Sequence, residues 1–175
     1  ALCITIFGFF LIGFSDDYLS IKNKINLGLK SKEKLLLQIF IASSFVIFLF
    51  NNNLLTYKLA FLDNLTINIG YFMVPLSIIT IISLSNAVNL TDGLDGLAAG
   101  CSSLVFCGLG TEILLNNDKN FLIFSLLSFC MSGLCLGFLK HNKYPAKIFM
   151  GDTGSLTIGA IIGIICVITN SFFTT

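Results

Sequence analysis

Asp92 and Asp95 stand three residues apart in NAVNLTDGLDGLAAG, the stretch from Asn86 to Gly100, with Asn89 one helical step before them. Residues three and four apart share a helix face, so this spacing predicts Asn89, Asp92 and Asp95 on one side of a helix. Gly93 and Gly96 leave bare backbone beside the acids, which suits close approach of a charged ligand. A second island is the adjacent pair Asp16-Asp17, whose charges repel unless a cation or proton intervenes. A third is Asp152 in FMGDTGS, flanked by Gly151 and Gly154. Thr153 and Ser155 are read as caps for a helix start there, a favourable place for an anion. Plainer readings stand beside these. TDGLDG could be only a polar turn, and the five lysines between Lys22 and Lys34 could simply neutralise Asp16-Asp17.

Mg²⁺ prefers oxygen ligands, usually one or two carboxylates with substrate phosphates and water. Acids for the metal, lysines for phosphate and glycines for close approach together point to phosphoryl chemistry at a membrane surface. The Walker pattern is absent, so this is not a P-loop nucleotide hydrolase. On the residues alone a cation-coupled transporter remains open. Its acids, like those of an intramembrane aspartyl protease, belong within spans rather than at their ends. A non-catalytic membrane scaffold is a third alternative.

The elements that must position these residues are membrane spans. The 175 residues are 55% hydrophobic and only 11% charged, with a mean hydropathy of +0.94; soluble domains carry about 25% charged residues. Apolar runs are continuous rather than alternating, which argues against a barrel and predicts an all-α polytopic transmembrane helical bundle. Six spans are read: Ala1 to Phe14, Leu35 to Phe50, Tyr71 to Val88, Leu97 to Leu115, Phe121 to Leu139 and Ser155 to Ile168. The first ends abruptly at Ser15-Asp16-Asp17. Between the second and third, YKLAFLDNLTINIG alternates like a short hairpin at the membrane surface. The whole of 1–175 reads as one integral membrane domain. It opens inside an apolar run without Met, so a piece of a longer chain is expected, and no signal peptide is seen. The six cysteines all fall in apolar runs without a CxxC pattern, so neither a metal site nor a disulfide framework is indicated.

Parity brings the chemistry together. Spans one, three and five end on one side of the membrane, which therefore receives all three acidic islands. Eight of the ten lysines lie there too; Lys58 and Lys119 are the exceptions. The positive-inside rule makes that face cytoplasmic.

Three stretches carry a resemblance: DDYLSIKNKINLGLKSKEKLLLQ, NAVNLTDGLDGLAAG and PAKIFMGDTGSL. They resemble, in order and topology, the signature regions of the polyprenyl-phosphate N-acetylhexosamine-1-phosphate transferases. The motifs look most like the branch that handles a muramoyl-pentapeptide. The resemblance implies transfer of phospho-N-acetylmuramoyl-pentapeptide from its UDP carrier to undecaprenyl phosphate, giving lipid I and UMP, with Mg²⁺ as cofactor. A sibling using UDP-N-acetylglucosamine is the alternative. Partners implied are UDP-N-acetylmuramoyl-pentapeptide, undecaprenyl phosphate, the lipid bilayer and a second copy in a homodimer; no nucleic acid is expected.

By this resemblance Asp152 matches the magnesium-binding aspartate, and Asp16 and Asp17 the paired catalytic aspartates. Asp16 is the first candidate for the base that deprotonates the lipid phosphate; an aspartate acting as covalent nucleophile is the older alternative. Asn89, Asp92 and Asp95 match polar residues lining the cleft, the two acids toward the nucleoside. Phe149 matches an aromatic that stacks on uracil, with Asn142 and Gly151 in neighbouring nucleotide-pocket positions. Lys32 matches a lysine near the phosphates, and Lys24 is a weaker match. Without the motif, Phe149 among eighteen phenylalanines would read as core or lipid-facing. The lysines could be positive-inside anchors and Asn142 a loop hydrogen bonder. His141 reads as a loop residue without a role. The family often has a lysine where Ser20 stands, and has further spans on both sides of this stretch together with a histidine-rich loop.

Overall fold

The structure, a computed structural model, describes residues 1–23, 28–62, 65–116 and 119–172. Lys24 lies outside them. Among the described residues six helices are long and apolar enough to cross a membrane. They are α1 (Leu2–Asn23), α2 (Ser31–Asn51), α3 (Met73–Thr91), α4 (Leu97–Leu115), α5 (Leu122–Asn142) and α6 (Gly151–Thr169). Single 3-10 turns at Gly70–Phe72 and Lys119–Phe121 lead into α3 and α5. The expected polytopic helical bundle is thus what the chain forms.

The stretch that alternates is a hairpin. Strands β1 (Lys58–Leu62) and β2 (Leu65–Asn68) pair antiparallel, with Lys58 opposite Asn68 and Leu59 opposite Ile67. Leu55 and Leu59 turn into the core beneath it. Phe50, Tyr57 and Tyr71 meet edge to face or tilted at about 6 Å beside them, the arrangement aromatic rings prefer.

Helix α6 is the central post. Its sequence, GDTGSLTIGAIIGIICVIT, is apolar nearly all round, the pattern of a helix surrounded by others. It buries Leu156, Ala160 and Ile161 through Val167. Two helices lie directly on its backbone. Gly159 faces the Leu84 carbonyl of α3, and Gly163 faces Ile81, where an added Cβ would stand 2.7 Å from the Ile81 Cα. On α1, Gly13 abuts the backbone of Asp152 and Thr153. In lipid, where no hydrophobic force drives helices together, small residues permit such contact. Ser85 Oγ adds a hydrogen bond to the Leu156 carbonyl at 2.9 Å.

The α4–α5 pair forms a second layer. Gly110 lies under the Phe129 ring. Ser125 donates to the Gly110 carbonyl and Ser132 to the Ser103 carbonyl, at 2.7 and 2.8 Å. Two apolar clusters result, one of α1, α2, α3 and α6, the other of α4, α5 and α6.

Three expectations need correction. Helix α1 does not stop at Ser15; it carries Asp16 and Asp17 inside it and ends at Asn23. Charge ends a membrane span, whereas the backbone bonds of a helix close as well in water. Asn86 to Gly100 is not one helix. Helix α3 ends at Thr91, Asp92 caps it, and Gly96, at φ +78°, opens α4. That left-handed backbone reverses the chain, so Asn89, Asp92 and Asp95 do not share a helix face. His141 lies in the last turn of α5 rather than in a loop.

Candidate active site

The start of α6 is where three acidic islands meet. A helix N-terminus exposes amides with no partner inside the helix and carries partial positive charge. Met150, the residue before α6, makes no side-chain cap. The cap comes from other elements. Asp17 on α1 accepts the Asp152 amide at 3.1 Å on Oδ1 and the Thr153 amide at 2.9 Å on Oδ2, which also accepts the Thr153 hydroxyl. Asp92, in the α3–α4 turn, accepts the Gly151 amide. Thr153 and Ser155 therefore do not cap their own helix. Ser155 instead donates to the Gly151 carbonyl. Gly151 is required for this junction: its φ is +66°, and a Cβ there would stand 2.8 Å from Asp17 Oδ2.

Asp16, the next residue on α1, turns to other partners. Its Oδ1 accepts the Leu29 amide at 2.9 Å and pairs with Lys34 Nζ of α2 at 3.0 Å. The same ammonium pairs with Asp152 Oδ2. Asp152 Oδ1 accepts Asn89 Nδ2 of α3 at 2.7 Å, and that nitrogen also donates to Ser155 Oγ at 2.9 Å. Helices α1, α2, α3 and α6 thus each contribute a side chain to one cluster.

Other anticipated residues serve the rim. Asn142 is buried; its Oδ1 accepts the Gly96 amide at 3.0 Å and its Nδ2 donates to the Ile148 carbonyl at 2.9 Å. Asp95 accepts the Ala146 amide at 2.9 Å. Both tie the α3–α4 turn to the α5–α6 loop. Phe149 is 77% exposed, two residues before α6. Lys32 is exposed. The lysine in the cluster is Lys34.

The profile of glycosyl transferase family 4 matches residues 1–170. This chain belongs to glycosyl transferase family 4. Among its relatives, the phospho-N-acetylmuramoyl-pentapeptide-transferase of Prochlorococcus marinus (strain MIT 9215) is 58% identical over 173 residues, covering 99% of this chain and 48% of the relative. The transferase of the same name from Prochlorococcus marinus subsp. pastoris is 59% identical over 166 residues, 95% and 46% of the two chains. One from a Synechococcus species is 38% identical over 173 residues, 99% and 49%. The chain spans about half the length of the curated relatives it matches.

In this family-4 chain the cluster suits a divalent cation. Carboxylate oxygens of Asp16, Asp17 and Asp152 lie within 4.8 Å of one another. A positive charge, Lys34, already bridges two of them. Hard oxygen donors at such separations are those Mg²⁺ takes, so these residues fit the ion. Asp92 adds to the negative field. Burial, with Asp152 and Asp17 nearby, pushes its carboxyl above the ordinary carboxylate range, although the Gly151 amide pulls the other way.

Lys34, Gln38 and Asn86 were not singled out from the sequence, and Thr153 was read only as a cap of its own helix. Gln38 carried a signal: it is an amide inside the apolar run LLLQIFIA, one turn from Lys34.

Proposed function

We propose that this chain is the catalytic half of an enzyme that transfers phospho-N-acetylmuramoyl-pentapeptide from its UDP carrier to undecaprenyl phosphate, releasing UMP and leaving lipid I in the membrane. The observation that carries the reading is the meeting of Asp16, Asp17 and Asp152 with Lys34 at one end of the bundle. The names of the relatives supply the substrate class. Both substrates are polyanions, and one is a lipid, so the reacting groups belong at a membrane rim, where this cluster lies.

Asp152 would hold Mg²⁺. Bound there, the ion would neutralise diphosphate oxygens and charge developing on the leaving UMP. Asp16 is the candidate base for the proton of the lipid phosphate, its Oδ1 held by the Leu29 amide and Lys34. Lys34 Nζ is placed to pass from carboxylate to phosphate oxygens. Asp17 holds the α6 N-terminus and thereby Asp152. Phe149 offers its exposed ring to the nucleobase. The rim faces the cytoplasm, which the lysines favour and where UDP-linked sugars are found.

The test is release of UMP by membranes holding the full-length protein, with Mg²⁺ and undecaprenyl phosphate. UDP-N-acetylmuramoyl-pentapeptide is the expected donor. Turnover of UDP-N-acetylglucosamine alone would transfer the assignment to the sibling activity.

A further inference from the structure

We propose that Gln38 and Asn86 form a positioning pair that sets where Lys34 stands among the carboxylates. Gln38 is the one polar residue among those α2 buries, and it is fully enclosed. Its Oε1 accepts Asn86 Nδ2 at 2.7 Å, and its Nε2 donates to Asn86 Oδ1 at 3.3 Å. The second hydrogen of Asn86 Nδ2 goes to the Ile82 carbonyl at 2.8 Å. Each amide therefore fixes the orientation of the other.

The pair lies one turn inward from the cluster on both helices. Gln38 is four residues from Lys34 on α2, and Asn86 is three from Asn89 on α3. Lys34 and Asn89 are the two side chains from α2 and α3 that hold Asp152. The rest of α2's buried face is Ala42, Phe45, Val46 and Leu49. Apolar contact is non-directional and specifies no rotation. A reciprocal amide pair does: sliding α2 by one residue turns its side chains by about 100° and shifts them about 1.5 Å, which breaks both bonds. Between helices in lipid, side-chain amides have this locking role.

The reactivity of Lys34 in the full-length protein tests the pair, with no need of metal or turnover. The protein, in detergent, is treated with an amine-reactive acylating reagent, and labelling of Lys34 is compared by mass spectrometry with that of exposed Lys32. Lys34 is expected to label at least about tenfold more slowly in the native protein, its ammonium being held between two carboxylates. The double variant Gln38→Leu/Asn86→Leu removes both amides and leaves no orphan, so the bundle is retained. There Lys34 is expected to approach the Lys32 rate. The exchange Gln38→Asn/Asn86→Gln, which keeps one amide on each helix, is expected to restore protection. If the double leucine variant does not fold, Gln38→Met takes its place, since it keeps the length of the side chain but has no hydrogen to donate to Asn86 Oδ1. Protection that persists without the pair, or that is lost in the exchange variant too, overturns the proposal. Either result leaves the catalytic assignment above untouched.

Discussion

Asp16 and Asp17 are neighbours in the chain, but on α1 their side chains point about 100° apart and meet different groups. Asp17 satisfies the first amides of α6, whereas Asp16 accepts the Leu29 amide and pairs with Lys34. Loss of a helix cap costs about 1 kcal/mol, or roughly 2–4 °C for a chain of this size. Asp17→Ala is therefore expected to lower the melting temperature by that amount, and Asp16→Ala by less, with scanning fluorimetry as the measurement. Asp152→Asn is expected to reduce turnover of the full-length protein at least about a hundredfold and to remove the stabilisation by added Mg²⁺, about 2.7 kcal/mol at a hundred times Kd in the native protein. Asp92 sets a pH dependence. Its carboxyl is raised, so the fold holds this proton more tightly than the unfolded chain does. Its contribution to stability is present at low pH and fades as pH rises through the raised value. Asp92→Asn is thus expected to melt above the native protein at pH 8 without metal, the difference vanishing toward pH 4. The acids were legible from residue type and spacing alone. Lys34 was not, because five lysines follow Asp17 and only the packed phase of α2 decides which one faces inward.

Helices α1, α3 and α6 are joined through glycines, so the site depends on close backbone contact away from any carboxylate. Gly13 abuts the backbone of Asp152 and Thr153, while Gly108 on α4 has open space around it. Gly→Ala within a helix gains about 0.5–1 kcal/mol when nothing obstructs the methyl; overpacking costs about 1–3 kcal/mol. Gly108→Ala is expected to be neutral or stabilising. Gly13→Ala is expected to destabilise and to slow turnover by moving Asp17 away from Thr153; melting and initial rates on the two variants check this. Hydropathy located all six spans, yet it marks where lipid ends and not where helix ends. That is why α1 runs on to Asn23 and why the break between α3 and α4 was missed. Gly96 shows its left-handed backbone only once α4 folds back beside α5.

At the scale of the whole molecule, the alternation of spans puts Lys34, Asp92 and Lys147 at one end and the β1–β2 hairpin at the other. Lys147→Cys is expected to react with a membrane-impermeant maleimide only in inverted vesicles, and Lys58→Cys only in intact cells. Labelling of both from one side would contradict the arrangement. This level of organisation was the most legible in the sequence, since parity needs only a count of spans and the side on which charges fall. What it could not supply was that α6 stands in the middle, which its all-round apolar surface shows only in company with its neighbours.

The junction between Asp17 and Thr153 joins residues 136 positions apart. At about 5–20 residues per second of synthesis, Asp17 waits roughly 7–27 s for its partner to be made. Through that interval the nascent protein holds two adjacent acids at the membrane border, with the lysines from Lys22 to Lys34 as the first counter-charges to arrive. The birth of α6, rather than of α1, completes the constellation.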